Sequence, residues 1–68
     1  MEVYMRLSRT ERSIIYLISE ETPNKIIAQK LNLSQRMVEY HISNLIKKMK
    51  VESRVGIIVK SFRTNILK

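Results

Sequence analysis

Read only as hydrophobic and polar positions, the chain breaks into four amphipathic stretches, each opened by a Ser or Thr that can cap a helix. Ser8-Arg9-Thr10-Glu11 is a capping box, so a first helix is expected to run to about Ser19 and to bury Ile14, Ile15, Leu17 and Ile18. Thr22 followed by Pro23 pairs a cap with the one position where a missing N–H costs nothing, and predicts a short helix from about Pro23 to Leu31 carrying Ile26, Ile27 and Leu31. Asn32 tolerates the left-handed conformation that ends a helix, and Ser34 caps the next one two residues later. So tight a turn makes the two helices cross steeply. The third helix, about Gln35 to Lys48, places Val38, Ile42, Leu45 and Met49 at spacings of four, three and four, which makes one apolar stripe. Ser53 opens a fourth helix from Arg54 to about Thr64, with the last four residues expected to fray. With one Gly, one Pro, no repeat and no linker, the pattern predicts an all-α, four-helix single domain over 1–68, its core at about 7–64.

At 100° per residue, the side of the third helix opposite its apolar stripe carries Arg36, Tyr40, Ser43 and Lys47, with Glu39 and Asn44 on its flanks. This face is basic at both ends and has two hydroxyls between them. A helix of about 14 residues is about 21 Å long and fits the major groove of B-DNA. A short helix, a tight turn and a longer amphipathic helix are the parts of a helix-turn-helix. Either charge alone, Arg36 or Lys47, is more simply an ordinary surface residue.

Composition agrees with that face. Thirteen Lys and Arg stand against six Glu, a net charge of +7, and the excess is uneven. Residues 1–34 hold five basic and four acidic side chains, whereas residues 35–68 hold eight and two. A polyanion is the natural partner of the second half, and nucleic acid the commonest polyanion. With no Cys there is no disulfide and no thiolate zinc site. His41 is the only histidine and there is no Asp, so neither a catalytic triad nor a metal constellation is available, and no enzyme, cofactor or small-molecule site is expected. The longest apolar runs, Ile14–Ile18 and Val55–Val59, fall far short of the roughly 20 residues that span a bilayer. Met1–Leu7 carries Glu2 and Arg6 and lacks the apolar centre of a signal peptide, so a soluble cytoplasmic protein is expected. Tyr4, Tyr16 and Phe62 lie on three separate segments and read as core or rim aromatics, and the four Met residues are too scattered to form a groove.

The residues Leu7-Ser8, Arg12, Ile15, Leu17-Ile18, Asn24-Lys25, Ile27-Ala28, Leu31, Leu33-Ser34, Val38, His41, Asn44, Lys48, Val51 and Ser53-Arg54 form a pattern that resembles the LuxR-type helix-turn-helix, also called the GerE or NarL type. The likeness runs without a gap from about Leu7 to Phe62. It implies a bacterial DNA-binding domain of four helices, acting on double-stranded DNA as a transcription regulator. In the pattern the third helix enters the major groove and the fourth forms a dimer. Position by position, base edges would be met by Glu39, Tyr40 and Ser43, with Arg36 nearby and Lys47 on the same face, and phosphates by Lys25, Ser34, His41, Asn44 and Lys48. Where the family usually has Thr-Val followed by Lys or Glu, this chain has Met37-Val38-Glu39. Met37 cannot donate to phosphate as a Thr hydroxyl does, and Glu39 repels phosphate but can accept from the N4 amino group of cytosine.

On the fourth helix, Val55, Ile58, Val59, Phe62 and Ile66 cluster on one side, expected to be the buried one. Ile57 points another way beside Lys60, Ser61 and Thr64; a singly exposed Ile is ordinary, and it is the resemblance, which places a dimer contact on this helix, that implies these four as the homodimer surface. The competing reading is a helix-turn-helix interaction module that pairs with another regulator and modulates its DNA binding, motivated by Met37 and Glu39.

Overall fold

Serine hydroxyls start three of the four helices in the computed structural model, which describes residues 6–67. Ser8 Oγ accepts the Glu11 N–H at 3.0 Å to open α1 (Arg9–Ser19), and Glu11 returns the bond by accepting the Ser8 N–H at 2.9 Å. Ser34 Oγ accepts the Met37 N–H at 3.0 Å to open α3 (Gln35–Met49), and Ser53 Oγ accepts the Gly56 N–H at 3.2 Å to open α4 (Arg54–Arg63). The start of α2 (Asn24–Leu31) differs from expectation, because its cap is Pro23 and no side chain closes it. Thr22 stands one residue before the cap position, and its N–H donates to Leu17 O at 3.0 Å, which makes it part of the turn that ends α1.

A single device ends every helix. Glu21, Asn32, Lys50 and Asn65 sit at positive φ of 59°, 58°, 57° and 63°, and the next residue in each case sends its N–H back five residues. These bonds run from Thr22 to Leu17 O, Leu33 to Ala28 O, Val51 to Ile46 O and Ile66 to Ser61 O, all between 2.9 and 3.1 Å. Each is a Schellman turn, which satisfies carbonyls that the helix itself leaves unpaired. Leu33, Val51 and Ile66 also fold in against the core, supplying the apolar contact such turns favour. The expectation that the chain frays after Thr64 is therefore corrected: Ile66 and Leu67 both donate to Ser61 O and are half-buried. Tyr4, Met1, Met5 and Lys68 lie outside the described residues.

The core is built from one face of each helix: Ile14, Ile15 and Ile18 from α1, Ile27 and Ala28 from α2, Val38, Ile42, Leu45 and Met49 from α3, and Ile57 from α4. The α3 stripe is as expected, with three of its four members at 0% exposure. The most extensive packing is between α2 and α3, and α4 closes the bundle against α1 and α3. Leu17, Ile26 and Leu31 are half-buried at its edge, and Tyr16 and Phe62 stay more than half exposed rather than packed within.

The orientation of α4 corrects the sequence expectation in part, since Ile58 and Ile66 pack half-buried against the core as expected but the other three apolar residues of that side do not. Ile57 and Ser61 are at 0% exposure, whereas Val55, Val59 and Phe62 are exposed at 69%, 46% and 52%. The inward face is the polar one because each of its polar groups finds an acceptor. Ser61 Oγ donates to Ile57 O at 2.6 Å, Lys60 Nζ donates to Met49 O at 2.7 Å, and Arg54 donates to Asn24 Oδ1 at 2.6 Å and Thr22 O at 3.0 Å. Ile57 and Ser61 are thus not available to a second chain, and Thr64, whose hydroxyl donates to Lys60 O, is half-buried. The only glycine serves this docking: a Cβ on Gly56 would stand 2.8 Å from Val51 Cβ, closer than two such carbons approach.

Two of the four left-handed positions carry residues with no affinity for that region, Glu21 and Lys50. Lys50→Gly is expected to stabilise the domain by about 0.5–1 kcal/mol, read as a higher thermal midpoint at unchanged helical circular dichroism. Asn32→Gly, where Asn already tolerates the conformation, should change it less.

Candidate nucleic-acid interface

The inner face of α3 is fixed by burial, so its outer face is fixed too. Arg36, Glu39, Tyr40, Ser43 and Lys47 are all exposed, and Tyr40 keeps 57% of its surface in solvent. These five base-edge candidates therefore share one continuous surface, opposite the buried stripe. The Tyr40 ring stands edge-on to His41, with centroids 5.8 Å apart and planes at 66°, an aromatic contact that restricts how far Tyr40 can swing. Among the described residues, Glu39 has neither an ion pair nor a side-chain hydrogen bond, although Arg36 lies one turn before it.

Helix ends add to this electrostatic surface. Neither α2 nor α3 has an acidic residue in its first turn, so the partial positive charge of each N-terminus is not neutralised. Lys25 stands exposed in the first turn of α2 and Arg36 in that of α3. Ser34, although it accepts the Met37 N–H, keeps its own hydroxyl proton for an external acceptor. Met37 is 41% exposed and offers no donor there. His41 and Asn44 are half-buried on the flank of the same helix.

Lys48, the last of the phosphate candidates, is engaged within the fold. Its ammonium donates to both Glu11 carboxylate oxygens at 3.0 Å and to Arg6 O at 3.2 Å, so its three protons point to acceptors within the chain. Adjacent lysines thus have different positions: Lys47 is exposed and has no partner among the described residues, and Lys48 ties the last turn of α3 to the start of α1. The signal in the sequence was indirect, since Glu11 is recognisable as a capping-box residue but its second partner lies 37 residues away. Burial alone pushes the Glu11 carboxyl up. The Ser8 N–H and the Lys48 hydrogen bond, with the nearby charges of Lys48 and His41, outweigh it and hold the group below the usual glutamate range.

The described residues contain no cluster of three metal-ligating side chains, and none of their helices is long and apolar enough to cross a membrane.

Because Glu11 titrates lower in the folded than in the unfolded chain, its contribution to stability is complete above the usual glutamate range and is lost as pH falls through the lower folded value. Glu11→Gln is therefore expected to lower stability by about 1–3 kcal/mol at neutral pH and to flatten the acid limb of the stability profile, measured by urea unfolding from pH 7 to pH 3. Lys48→Ala should lose a similar amount, and the double variant less than the sum.

Comparison with known proteins assigns this geometry to a family. The family model described as bacterial regulatory proteins, luxR family, matches residues 5–61. The nitrate/nitrite response regulator protein NarL of Escherichia coli K12 is 42% identical over 50 residues, covering 74% of this chain and 23% of NarL. The transcriptional regulatory protein DegU of Brevibacillus brevis is 31% identical over 62 residues, covering 91% of this chain and 26% of DegU. This chain thus spans about a quarter of the length of these curated relatives. A solved structure of the transcription factor GerE superposes with a TM-score of 0.88 at 34% identity, covering 91% of this chain and 92% of that one. That family consists of DNA-binding transcription regulators and not of enzymes. The 68-residue chain belongs to the luxR family of bacterial regulatory proteins, as a helix-turn-helix domain of the GerE type.

Proposed function

We propose that the chain is the sequence-reading part of a transcription regulator, with α3 laid in the major groove of double-stranded DNA and two copies paired through α4. The outward face of α3 carries this reading: Arg36, Glu39, Tyr40, Ser43 and Lys47 are exposed together while every residue of the opposite stripe is buried. Arg36 and Lys47 flank the base-reading centre, and Lys25, Ser34, His41 and Asn44 are placed for phosphate. Lys48 acts by holding α3 at its angle to α1 and not by reaching the DNA. The family resemblance supports the same arrangement.

Pairing uses a different surface from the one the sequence suggests. Val55, Val59 and Phe62 form an exposed apolar stripe on α4, continuous at Val55 with a groove of about 480 Å³ lined also by Ile18, Thr22, Pro23, Arg54 and Ile58. A stripe of this kind on a small domain is an association surface, and a two-fold pair would set two α3 helices on half-sites about one helical turn apart. Ile57 supports the pair from inside, as the core residue on which α4 rests. If the stripe instead meets another regulator, a mixture of the two should pair where this chain alone does not.

Two measurements test the proposal. Duplex affinity should fall steeply with salt, and Lys47→Ala should weaken all sequences alike and reduce the slope of log affinity against log salt by about one unit. A flat salt dependence overturns the reading. In sedimentation, Val59→Lys is expected to abolish self-association with the thermal midpoint nearly unchanged, whereas Ile57→Ala should lower stability by about 2–4 kcal/mol; a parent that stays monomeric at high concentration argues against the α4 pair.

A further inference from the structure

Glu39 is the one acidic residue of α3, and nothing in the fold requires it. It is exposed, and among the described residues it has no ion pair, no side-chain hydrogen bond and no capping role, since the α3 cap is closed by Ser34. The one opposite charge within a helical turn is Arg36, three residues before it, and with the cation on the N-terminal side such a pair contributes little to a helix. Against a polyanion its charge is a disadvantage, because it sits among Arg36, Ser43 and Tyr40 on the face that must approach the DNA. A carboxylate in that place is favourable only if the groove offers it a donor.

The major groove offers two donors to such a group, the N4 amino group of cytosine and the N6 amino group of adenine. Guanine presents O6 and N7, and thymine presents O4, all acceptors that repel an ionised carboxylate. Adenine sets its N6 donor beside the N7 acceptor, so a carboxylate drawn to the first is repelled by the second. Cytosine sets its N4 donor between its own C5–H and the O6 of the paired guanine, whereas adenine N6 stands between N7 and the O4 of the paired thymine, so a carboxylate meets less repulsion at cytosine. Glu39 also lies in the N-terminal part of α3, the part of a recognition helix that reaches base edges.

We infer that Glu39 is a specificity-determining residue that selects cytosine at one position of the half-site, its carboxylate accepting from the N4 amino group. This rests on the reading of α3 as the groove helix. The same carboxylate lowers binding to DNA that lacks the cytosine, so it gains discrimination partly by weakening the wrong complexes.

The test is selection of bound duplexes from a random-sequence pool with the intact chain, its Glu39→Gln variant and its Glu39→Ala variant. Because Glu39 is exposed and has no partner among the described residues, all three are expected to melt alike. The parent should enrich one cytosine by about tenfold or more over the other bases. Glu39→Gln should keep the rest of the site and move that position to adenine, whose N6 and N7 match a carboxamide. Glu39→Ala should lose preference at that position alone and bind random duplex more tightly. If Glu39→Gln enriches the same site as the parent, or loses preference equally at every position, the inference is overturned while α3 remains the groove helix. If the parent enriches no sequence, the groove reading fails and the inference with it.

Discussion

A single carboxylate joins the two ends of the domain. Glu11 accepts the Ser8 N–H and so completes the start of α1, and it accepts twice from Lys48 and so fixes the last turn of α3. The residue is 8% exposed, and a carboxylate so covered is tolerable because three hydrogen bonds stand in for the water it has lost. Lys48 meets the same requirement from the other side, adding the Arg6 carbonyl. The angle at which α3 leaves the bundle is thereby set by a charged contact at one end and by the tight Asn32 turn at the other. Between them, apolar packing fixes only which face is inside.

The fourth helix depends on a similar economy of polar groups. Helix termini leave carbonyls without partners, and here those of the α1–α2 turn and of the α3 end lie where α4 passes. Arg54 takes Thr22 O and Lys60 takes Met49 O, so the long side chains run along the bundle with their charges spent on backbone acceptors. Ser61 is fully buried without an unsatisfied hydroxyl because it bonds back to Ile57 O. With its polar side occupied inward, α4 has to carry Val55, Val59 and Phe62 outward, and the apolar surface left there is a consequence of how the other helices end.

This explains which parts of the structure were legible in the sequence. Caps and stripes are local: Ser8, Ser34 and Ser53 declare the helix starts within four residues, and the 38-42-45-49 spacing declares the inner face of α3. The outer face of α3 follows by subtraction, which is why the base-edge candidates all stand where the sequence put them. Counting apolar residues misplaced part of α4 because the count assumes that polar groups have no partner inside, whereas Ser61 bonds back to its own helix and Arg54 and Lys60 reach oxygens of other segments. The ion pair of Lys48 was likewise not legible, since its partner Glu11 lies 37 residues away in the chain. Left-handed Glu21 and Lys50 have no local signal, as neither residue prefers that conformation and both are held by the turn that follows.

The distribution of charge bears on whether this surface only attracts DNA or also reads it. Of the two lysines that end α3, Lys48 is held against Glu11, and α4 turns Arg54 and Lys60 onto neutral oxygens of the fold. The net charge of +7 is therefore not all presented on the α3 face. What the α3 face presents is two separated cations, Arg36 and Lys47, around a hydroxyl, an aromatic ring and a carboxylate with no partner among the described residues. Attraction without discrimination would favour more lysine and no acid, because each added phosphate contact strengthens binding to every sequence alike. A face with few cations at its margins and mixed donors and acceptors at its centre sacrifices that uniform attraction, and gains from it only where the base edges opposite are complementary.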